Sequence, residues 1–545
     1  MFQLFGNDEN RGFCERIYLQ TDKNLYLAGE SILMKIITTD YKHNPIIFSK
    51  VAYVEITDDS DTKIQIMVSL NNGIGTGRVL LPVDLQSGYY RIIAYTQYMR
   101  NEGTDVFFEK NIAVINTFQS GYYLQQENLH LAPSVLREER TGISLQSDKK
   151  KYSTRNCGKL IINDLPDNIH TLSVTIAGKD FVYFSESNNS LYHKNISKEP
   201  KNFIGNYIPE YEGHIVAGTI MNNETEKAGY RTSLIPVITF PGDEIKFFAG
   251  QRIKNEEFSF YTSGIKGTKE IAAAIYNSGG KYRLDIKSPF VSSFSHRQMP
   301  TLFIDSIYYN QLLSRSIALQ TYRYFYEEES EIQNISESYF ILKPSYSYRL
   351  DDYTRFSTMR EVFIEFIEGA RFRSRAGKQE LSILSNRDGK FVYGTTPIVL
   401  LDGVPIISHD AIYNYNPHNV EKINIYYGPY VMGNTMFDGI IELITYRKLH
   451  EDLSLDKSTQ IISYDGPQPF FRLITPDYSN EKNRLNRVPD GRHTLFWEPD
   501  FQTDGEKSIQ LSFNTSDLKG EFQATVEAIT KDGKFIFATA YFIVE

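Results

Sequence analysis

The apolar and polar positions of this chain fall into their clearest pattern between residues 358 and 447. Met359, Val362, Phe363, Phe366, Ile367 and Ala370 recur at the three- and four-residue intervals of one helical stripe. Thr358 and Glu361 form a capping box at its start and Gly369 lies near its end, so a helix is predicted between them. Two apolar runs, residues 398–401 and 404–407, flank Asp402-Gly403. A two-residue hairpin turn needs positive φ at both central positions, and Asp-Gly supplies it. Residues 420–427 place Ile423, Ile425 and Tyr427 on one face, while residues 439–446 are apolar on both faces, as a central strand requires. These elements predict a small α/β domain over residues 340–448.

Elsewhere the pattern is that of short strands separated by turns. Residues 31–39, 88–96 and 111–115 read as strands, with 71–77 as a glycine-rich turn, and their spacing predicts a β-sandwich over residues 12–118. Leu19-Gln20-Thr21-Asp22-Lys23-Asn24-Leu25-Tyr26 recurs as Leu145-Gln146-Ser147-Asp148-Lys149-Lys150-Lys151-Tyr152, an ungapped offset of 126 residues. Two copies of one fold are therefore predicted, the second over residues 135–207. Alternation in Glu257-Phe258-Ser259-Phe260 and the closing run 282–286 predict a third, small sandwich over residues 208–295. Ile304, Ile307, Tyr308, Leu312, Ile317 and residues 319–325 give a helical pattern within residues 300–335, read as a connector that ends in the acidic run 327–331.

After the α/β domain, residues 449–490 are polar and turn-rich and are expected to wrap along neighbouring domains. Residues 494–497, 508–514, 520–528 and 534–544 read as strands, and the run beginning Gly520-Glu521-Phe522 echoes the one beginning Gly88-Tyr89-Tyr90. Four strands are too few for an independent sandwich, so a fifth at residues 459–464 is expected to complete a C-terminal domain over 449–545. The fold class that follows is mainly β, with tandem sandwiches and one small α/β domain.

Composition narrows the function. The chain has 545 residues, more than one core usually serves, and its 38 tyrosines and 35 phenylalanines against a single tryptophan suit strands. A formal charge of −9, with Lys149-Lys150-Lys151 as the clearest basic run, argues against a nucleic-acid surface. No apolar run reaches the ~18 residues that span a bilayer, and residues 1–12 lack the basic and apolar regions of a signal peptide. Cys14 and Cys157 allow at most one disulfide and are read as core or free thiols.

Catalytic patterns are poor. The ten histidines show no His-Glu-x-x-His and no paired spacing, so no metal is expected. Gly73-Ile74-Gly75-Thr76-Gly77 resembles a phosphate loop, but Arg78 stands where a third glycine belongs, and a turn is the better reading. No Gly-x-Ser-x-Gly elbow occurs, and Asp351-Asp352 and Asp58 to Asp61 read as turns rather than acid–base pairs. No cofactor is implied, and the chain is read as non-enzymatic.

Two resemblances add to this reading. The helix, the strand ending in Asp402-Gly403-Val404-Pro405-Ile406, then Asn416-Pro417-His418-Asn419-Val420-Glu421-Lys422-Ile423 and Gly439-Ile440-Ile441-Glu442-Leu443-Ile444-Thr445 resemble the plug domain of TonB-dependent outer-membrane receptors of the Bacteroidota type, over about a fifth of the chain. Such a plug is followed by a barrel of many strands, for which residues 448–545 are too few. This sequence departs from the plug pattern at Gly428-Pro429-Tyr430-Val431-Met432-Gly433, where a small-residue, Ala-rich segment is usual. Residues 18–30 and 87–90 resemble the macroglobulin-like (MG2-type) domains of bacterial alpha-2-macroglobulins and their Bacteroidota surface relatives. That resemblance raises protease trapping through a Cys-Gly-Glu-Gln thioester, but Cys157-Gly158 continues as Lys159-Leu160, so the required glutamine is missing.

Together the resemblances imply a cell-envelope protein, outer-membrane associated, that docks on an outer-membrane β-barrel protein or its complex in transport, secretion or outer-membrane protein assembly. The alternative is a free periplasmic or surface ligand-binding or non-thioester protease-inhibitor protein. The expected interface is Asp402 and Gly403 with Gly428, Pro429, Tyr430, Val431, Met432 and Gly433.

Overall fold

The repeated Leu-Gln-[Thr/Ser]-Asp-Lys sequence forms the same corner twice. In the first copy, Asp22 Oδ1 accepts hydrogen bonds from the Tyr26 hydroxyl (2.8 Å) and the Leu33 amide (3.1 Å), and Thr21 Oγ1 donates to Lys23 O (2.7 Å). In the second, Asp148 Oδ1 accepts from the Tyr152 hydroxyl (2.6 Å) and the Lys159 amide (2.7 Å), and Ser147 Oγ donates to Lys149 O (2.7 Å). The aspartate satisfies backbone and phenol donors where the chain leaves one sheet for the other. After each corner a short strand, Leu25–Leu27 or Lys151–Tyr152, pairs in parallel with a late strand, Phe108–Ile115 or Phe535–Val544.

The computed structural model describes residues 13–119, 124–125, 142–182, 186–201, 204–225, 227, 234–241, 246–295, 297–326, 331–332, 343–387, 389–395, 397–432, 435–447 and 457–545. The chain is mainly β, with tandem sandwiches and one small α/β domain. It divides into two compact units, one of residues 1–211, 291–335 and 467–545, the other of 212–290 and 336–466.

In the first unit, the first sandwich faces a three-stranded sheet (Arg16–Thr21, Ser31–Thr39, Ile74–Leu80) with a five-stranded one in the order Leu25–Leu27, Phe108–Ile115, Gly88–Tyr95, Val51–Thr57, Thr62–Ser69. The expected turn at residues 71–77 is confined to its first part; Gly75 and Gly77 belong to a strand, where a Cβ would come within 2.8 Å of the Leu70 side chain and 2.9 Å of the Val68 side chain respectively. The second sandwich repeats the plan. Its sheets are Ser144–Ser147, Cys157–Asn163, Ile509–Asn514, and Lys151–Tyr152, Phe535–Val544, Gly520–Thr530, Ile169–Gly178, Thr494–Glu498.

This corrects the domain boundaries expected over 135–207 and 449–545: strands within 144–178 of the first and within 494–544 of the second build one sandwich. A single cluster runs from Leu160, Leu172 and Val174 to Phe522, Val526 and Phe542. In the first copy the fourth and fifth strands are joined by a hairpin at residues 58–61; in the second, everything from 179 to 493 lies between them. The strand expected at 459–464 does not serve this sandwich, whose edge is already closed by Thr494–Glu498. It forms instead as Gln460–Asp465 and pairs with Thr268–Tyr276.

The helical pattern within 300–335 gives Tyr309–Tyr326. It is not a free connector. Leu312 joins Leu25, Leu27, Ala113 and Ile115 in one apolar cluster, and Arg315 reaches Glu30, so the helix covers an edge of the first sandwich. The acidic residues 327–330 lie outside the described residues.

The second unit contains the third sandwich and the α/β domain. The sandwich has two four-stranded sheets, Gln251–Lys254, Glu257–Tyr261, Ile215–Asn222, Tyr282–Ile286 and Lys246–Ala249, Ile235–Phe240, Thr268–Tyr276, Gln460–Asp465. The α/β domain is built on one sheet in the order Ala370–Arg375, Lys378–Arg387, Val420–Met432, Thr435–Thr445, Pro397–Leu401, Val404–Pro405. Its central strands are apolar on both faces because both are covered. Val399, Leu401, Ile441 and Leu443 pack with Val362 and Phe363 on the helix side, and Ile398, Leu400 and Ile440 pack with Val237, Phe247 and Ala274 of the third sandwich.

Helix Met359–Glu365 has the predicted capping box but stops earlier than its stripe implied. Gly369 turns the chain at φ +76°, and a Cβ there would strike the Tyr427 ring. Ile367 and Ala370 are buried from outside the helix, in the turn and the following strand.

Candidate functional site

The Asp402-Gly403 turn has φ of 50° and 83°, the positive pair that the sequence demanded. The Asp402 carboxylate is held by the Thr445 amide (2.8 Å) and the Thr445 hydroxyl (2.7 Å) and is 6% exposed. Gly403 is buried as well. The turn therefore fixes the central strand to its neighbour and offers no surface, which removes Asp402 and Gly403 from the expected interface.

Residues 428–432 form the end of strand Val420–Met432. The Gly428-Pro429 peptide is cis, the register shifts between Tyr427 and Tyr430, and pairing then resumes with Tyr430 opposite Phe437, Val431 opposite Met436 and Met432 opposite Thr435. Gly428 is required by contact: a Cβ would lie 2.2 Å from the Asp438 carbonyl oxygen. Gly433 lies outside the described residues. Among the described residues, the segment beyond Tyr430 pairs only with Thr435–Phe437, so the hairpin end extends past the rest of the sheet.

The two faces of that end differ. Tyr430, Met432 and Phe437 belong to the cluster shared with the sandwich, with the Phe437 ring 5.5 Å from Phe247 and 5.7 Å from Tyr276. On the other face Val431 is 73% and Met436 49% exposed, beside exposed Pro429. Four of the eight expected interface residues thus reach this hairpin end as Pro429, Tyr430, Val431 and Met432, and Met436 joins them through a register that the sequence did not disclose.

A second group joins Asp22 and Lys23 of the repeat to residues that the sequence did not connect with them. Arg315 grips both oxygens of Glu30 (2.7 Å each) and donates to Leu25 O (2.9 Å), while Lys23 lies 3.1 Å from Asp22 and 3.6 Å from Glu30. Burial alone would raise the Glu30 carboxyl, but Arg315 and Lys23 hold it down at about 2. Asp180, which accepts from the Asn24 amide (2.8 Å), is pushed up to about 6 by burial. Burial also lowers Lys35 and Lys110 to about 8, and each donates to a threonine, Thr171 (2.5 Å) and Thr21 (2.7 Å) respectively. Arg315 lies 285 positions from Glu30, and Asp180 lies 156 from Asn24, so only the fold brings them together. They are enclosed in the first unit and act as an internal brace.

Cys14 is buried and Cys157 exposed, each a free thiol. Gly158 sits under Phe513 and Tyr152, where a Cβ would come within 2.5 Å of the first ring and 2.8 Å of the second. Its neighbour Cys157 therefore belongs to an ordinary strand.

No family model matches the chain, and no curated protein matches it. Among solved structures it is similar to Salmonella alpha-2-macroglobulin reacted with methylamine, at 9% identity and a TM-score of 0.25 over 98% of this chain and 40% of that one. The native conformation of E. coli alpha-2-macroglobulin gives 10% identity and a TM-score of 0.25 over the same shares. The Yersinia pseudotuberculosis adhesin InvE gives 10% and 0.13 over 50% of this chain and 57% of that one. The chain spans about two fifths of the length of the macroglobulins.

Proposed function

We propose that this chain is a non-enzymatic scaffold or docking subunit of the cell envelope, and that its α/β domain seats against an outer-membrane β-barrel complex of transport, secretion or outer-membrane protein assembly. The observation that carries the reading is the end of the Val420–Thr445 hairpin. One of its faces is anchored in a core, and the other leaves the cross-strand pair Val431 and Met436 open beside Pro429. An exposed apolar cross-strand pair on a hairpin whose other face is packed in a core has the character of an interaction anchor. The plug-like order of the domain, with its helix, Asp-Gly hairpin and doubly covered central strands, supports a barrel as the partner. No helix among the described residues is long and apolar enough to cross a membrane.

Affinity purification of the tagged protein from gently solubilised native membranes, followed by mass spectrometry, tests this. A stoichiometric β-barrel protein is expected with the wild type and is expected to be lost with V431E/M436E. The two glutamates stand opposite each other in the register and repel, so urea unfolding of the variant is compared with the wild type, and loss of the partner at a wild-type midpoint excludes unfolding as the cause. Recovery of the chain alone would favour the free ligand-binding or protease-inhibitor reading.

A further inference from the structure

The stretch Arg371-Phe372-Arg373-Ser374-Arg375-Ala376-Gly377-Lys378 alternates in a way that only a strand makes meaningful. As Ala370–Arg375 it forms an edge of the α/β sheet, joined to Lys378–Arg387 by a turn with Ala376 at φ 50° and Gly377 at φ 79°. Phe372 points into the domain, its ring 5.0 Å from Phe363 and 5.2 Å from Tyr413. Arg371, Arg373 and Arg375 consequently share the opposite, exposed face, and Lys378 continues it. A chain whose formal charge is −9 thus carries a clustered basic face.

Three features set this face apart from ordinary solvated charge. First, none of the four cations forms an ion pair with a described carboxylate, although Glu380 lies opposite Arg373 in the register. Second, two of the guanidiniums share one ring: Arg371 lies 3.7 Å and Arg373 5.3 Å from the centroid of Tyr393. Third, no described strand pairs with the outer edge of Ala370–Arg375. On the far side of the neighbouring strand, by contrast, the amides of Gln379 and Leu381 are closed off by Asp410 Oδ1 (2.8 Å) and His409 Nδ1 (3.0 Å).

We propose that the edge strand Ala370–Arg375 is a docking site for an extended acidic peptide of a partner protein, added to the sheet as a further strand. Same-face side chains on a strand repeat every ~6.6–6.8 Å. Carboxylates at alternate positions of an added strand therefore fall in step with Arg371, Arg373 and Arg375, while its backbone meets the unpaired edge. A second copy of this chain is a poor occupant, because paired edges would set arginine against arginine. A phosphate polymer could match the charge but supplies no amide donors for the exposed carbonyls. The site is separate from the Val431 hairpin face, so failure of this proposal leaves the barrel-docking reading standing.

The test is titration of the full chain with an acetylated, amidated peptide Thr-Glu-Val-Glu-Val-Glu-Thr carrying a fluorophore. Controls are a peptide of the same composition with its glutamates in one block, and the alternating peptide N-methylated at alternate amides. Saturable binding of the alternating peptide is expected, weakened by about tenfold or more in either control and in R373Q/R375Q, and weakened further by salt. The two peptide controls need no change to the protein, so they read out even if the variant folds poorly. Equal binding of the alternating and blocked peptides would overturn the proposal, as would no binding. So would displacement of the peptide by phosphatidylglycerol vesicles or oligothymidylate at lower charge concentration.

Discussion

The two copies of the repeated corner make the same hydrogen bonds in opposite surroundings. Around Asp22 everything is closed: Asp22, Lys23 and Tyr26 are buried, and Arg315 and Glu30 complete an ionic cluster with them. Around Asp148 only Tyr152 is buried, while Asp148 and residues 149–151 are exposed. What the copies share is the local requirement, one carboxylate oxygen that satisfies an amide and a phenol at a sheet-to-sheet crossing. What differs is the charge around it. The first corner became the place where the helix Tyr309–Tyr326 is fastened, and the second remained a corner.

The strongest way to break this comparison is to cut the fastening. Replacing Arg315 with Met leaves Glu30 buried without its bidentate partner, and a loss of about 3–5 kcal/mol is expected in urea unfolding, with no counterpart in the second sandwich. The pH profile carries the same signature. Glu30 is held below its ordinary value of 4.5, so its contribution is complete above that pH and is lost as pH falls towards about 2. In R315M burial is no longer offset by the guanidinium, so this loss on acidification should shrink or reverse in sign. An unchanged acid limb would mean that Glu30 is not held by Arg315.

Asp180 should behave with the opposite sign. Its carboxyl is raised to about 6 from 3.8, so charging it opposes folding, and stability contributed by the protonated form grows as pH falls through 6 and levels off below 3.8. Asp180→Asn should stabilise the protein on the order of 2 kcal/mol at pH 7, and the gain over wild type should vanish by pH 4. A gain independent of pH would contradict the burial argument. The smallest expected effect compares the two phenols directly. Tyr26→Phe should cost about 1–3 kcal/mol and Tyr152→Phe about 0.5–1.5 kcal/mol, because only the first leaves an enclosed carboxylate oxygen with one of its two donors missing. Equal losses would mean that the surroundings do not matter to the corner.

Local chemistry was legible in the sequence and distant closure was not. The Asp402-Gly403 turn and the Thr358–Glu361 capping box were readable because each is decided by neighbours within a few residues of one another, and the repeat was readable because each copy of its corner has an aspartate bonded to the tyrosine four residues on. The likeness of the Gly520 and Gly88 strands was also readable, and the two occupy equivalent places in their sheets. The second sandwich's division around residues 179–493 was hidden because a strand's pattern states which face is buried and not which partner it finds. Strand Gln460–Asp465 shows the same limit: its isoleucines fit any open sheet edge, and the open edge belonged to Thr268–Tyr276. At the candidate interface, Val431 was singled out for a departure from a pattern, whereas Met436 became its partner through register alone.

The docking reading is tested most directly by contact at that pair. Photo-crosslinking in native cells with p-benzoylphenylalanine in place of Val431, and at the 82%-exposed Tyr324 as a control surface position, reports what touches the hairpin end. The account predicts one dominant adduct with an outer-membrane β-barrel protein from position 431 and none from 324. No adduct at 431, or the same scattered adducts at both positions, would contradict it.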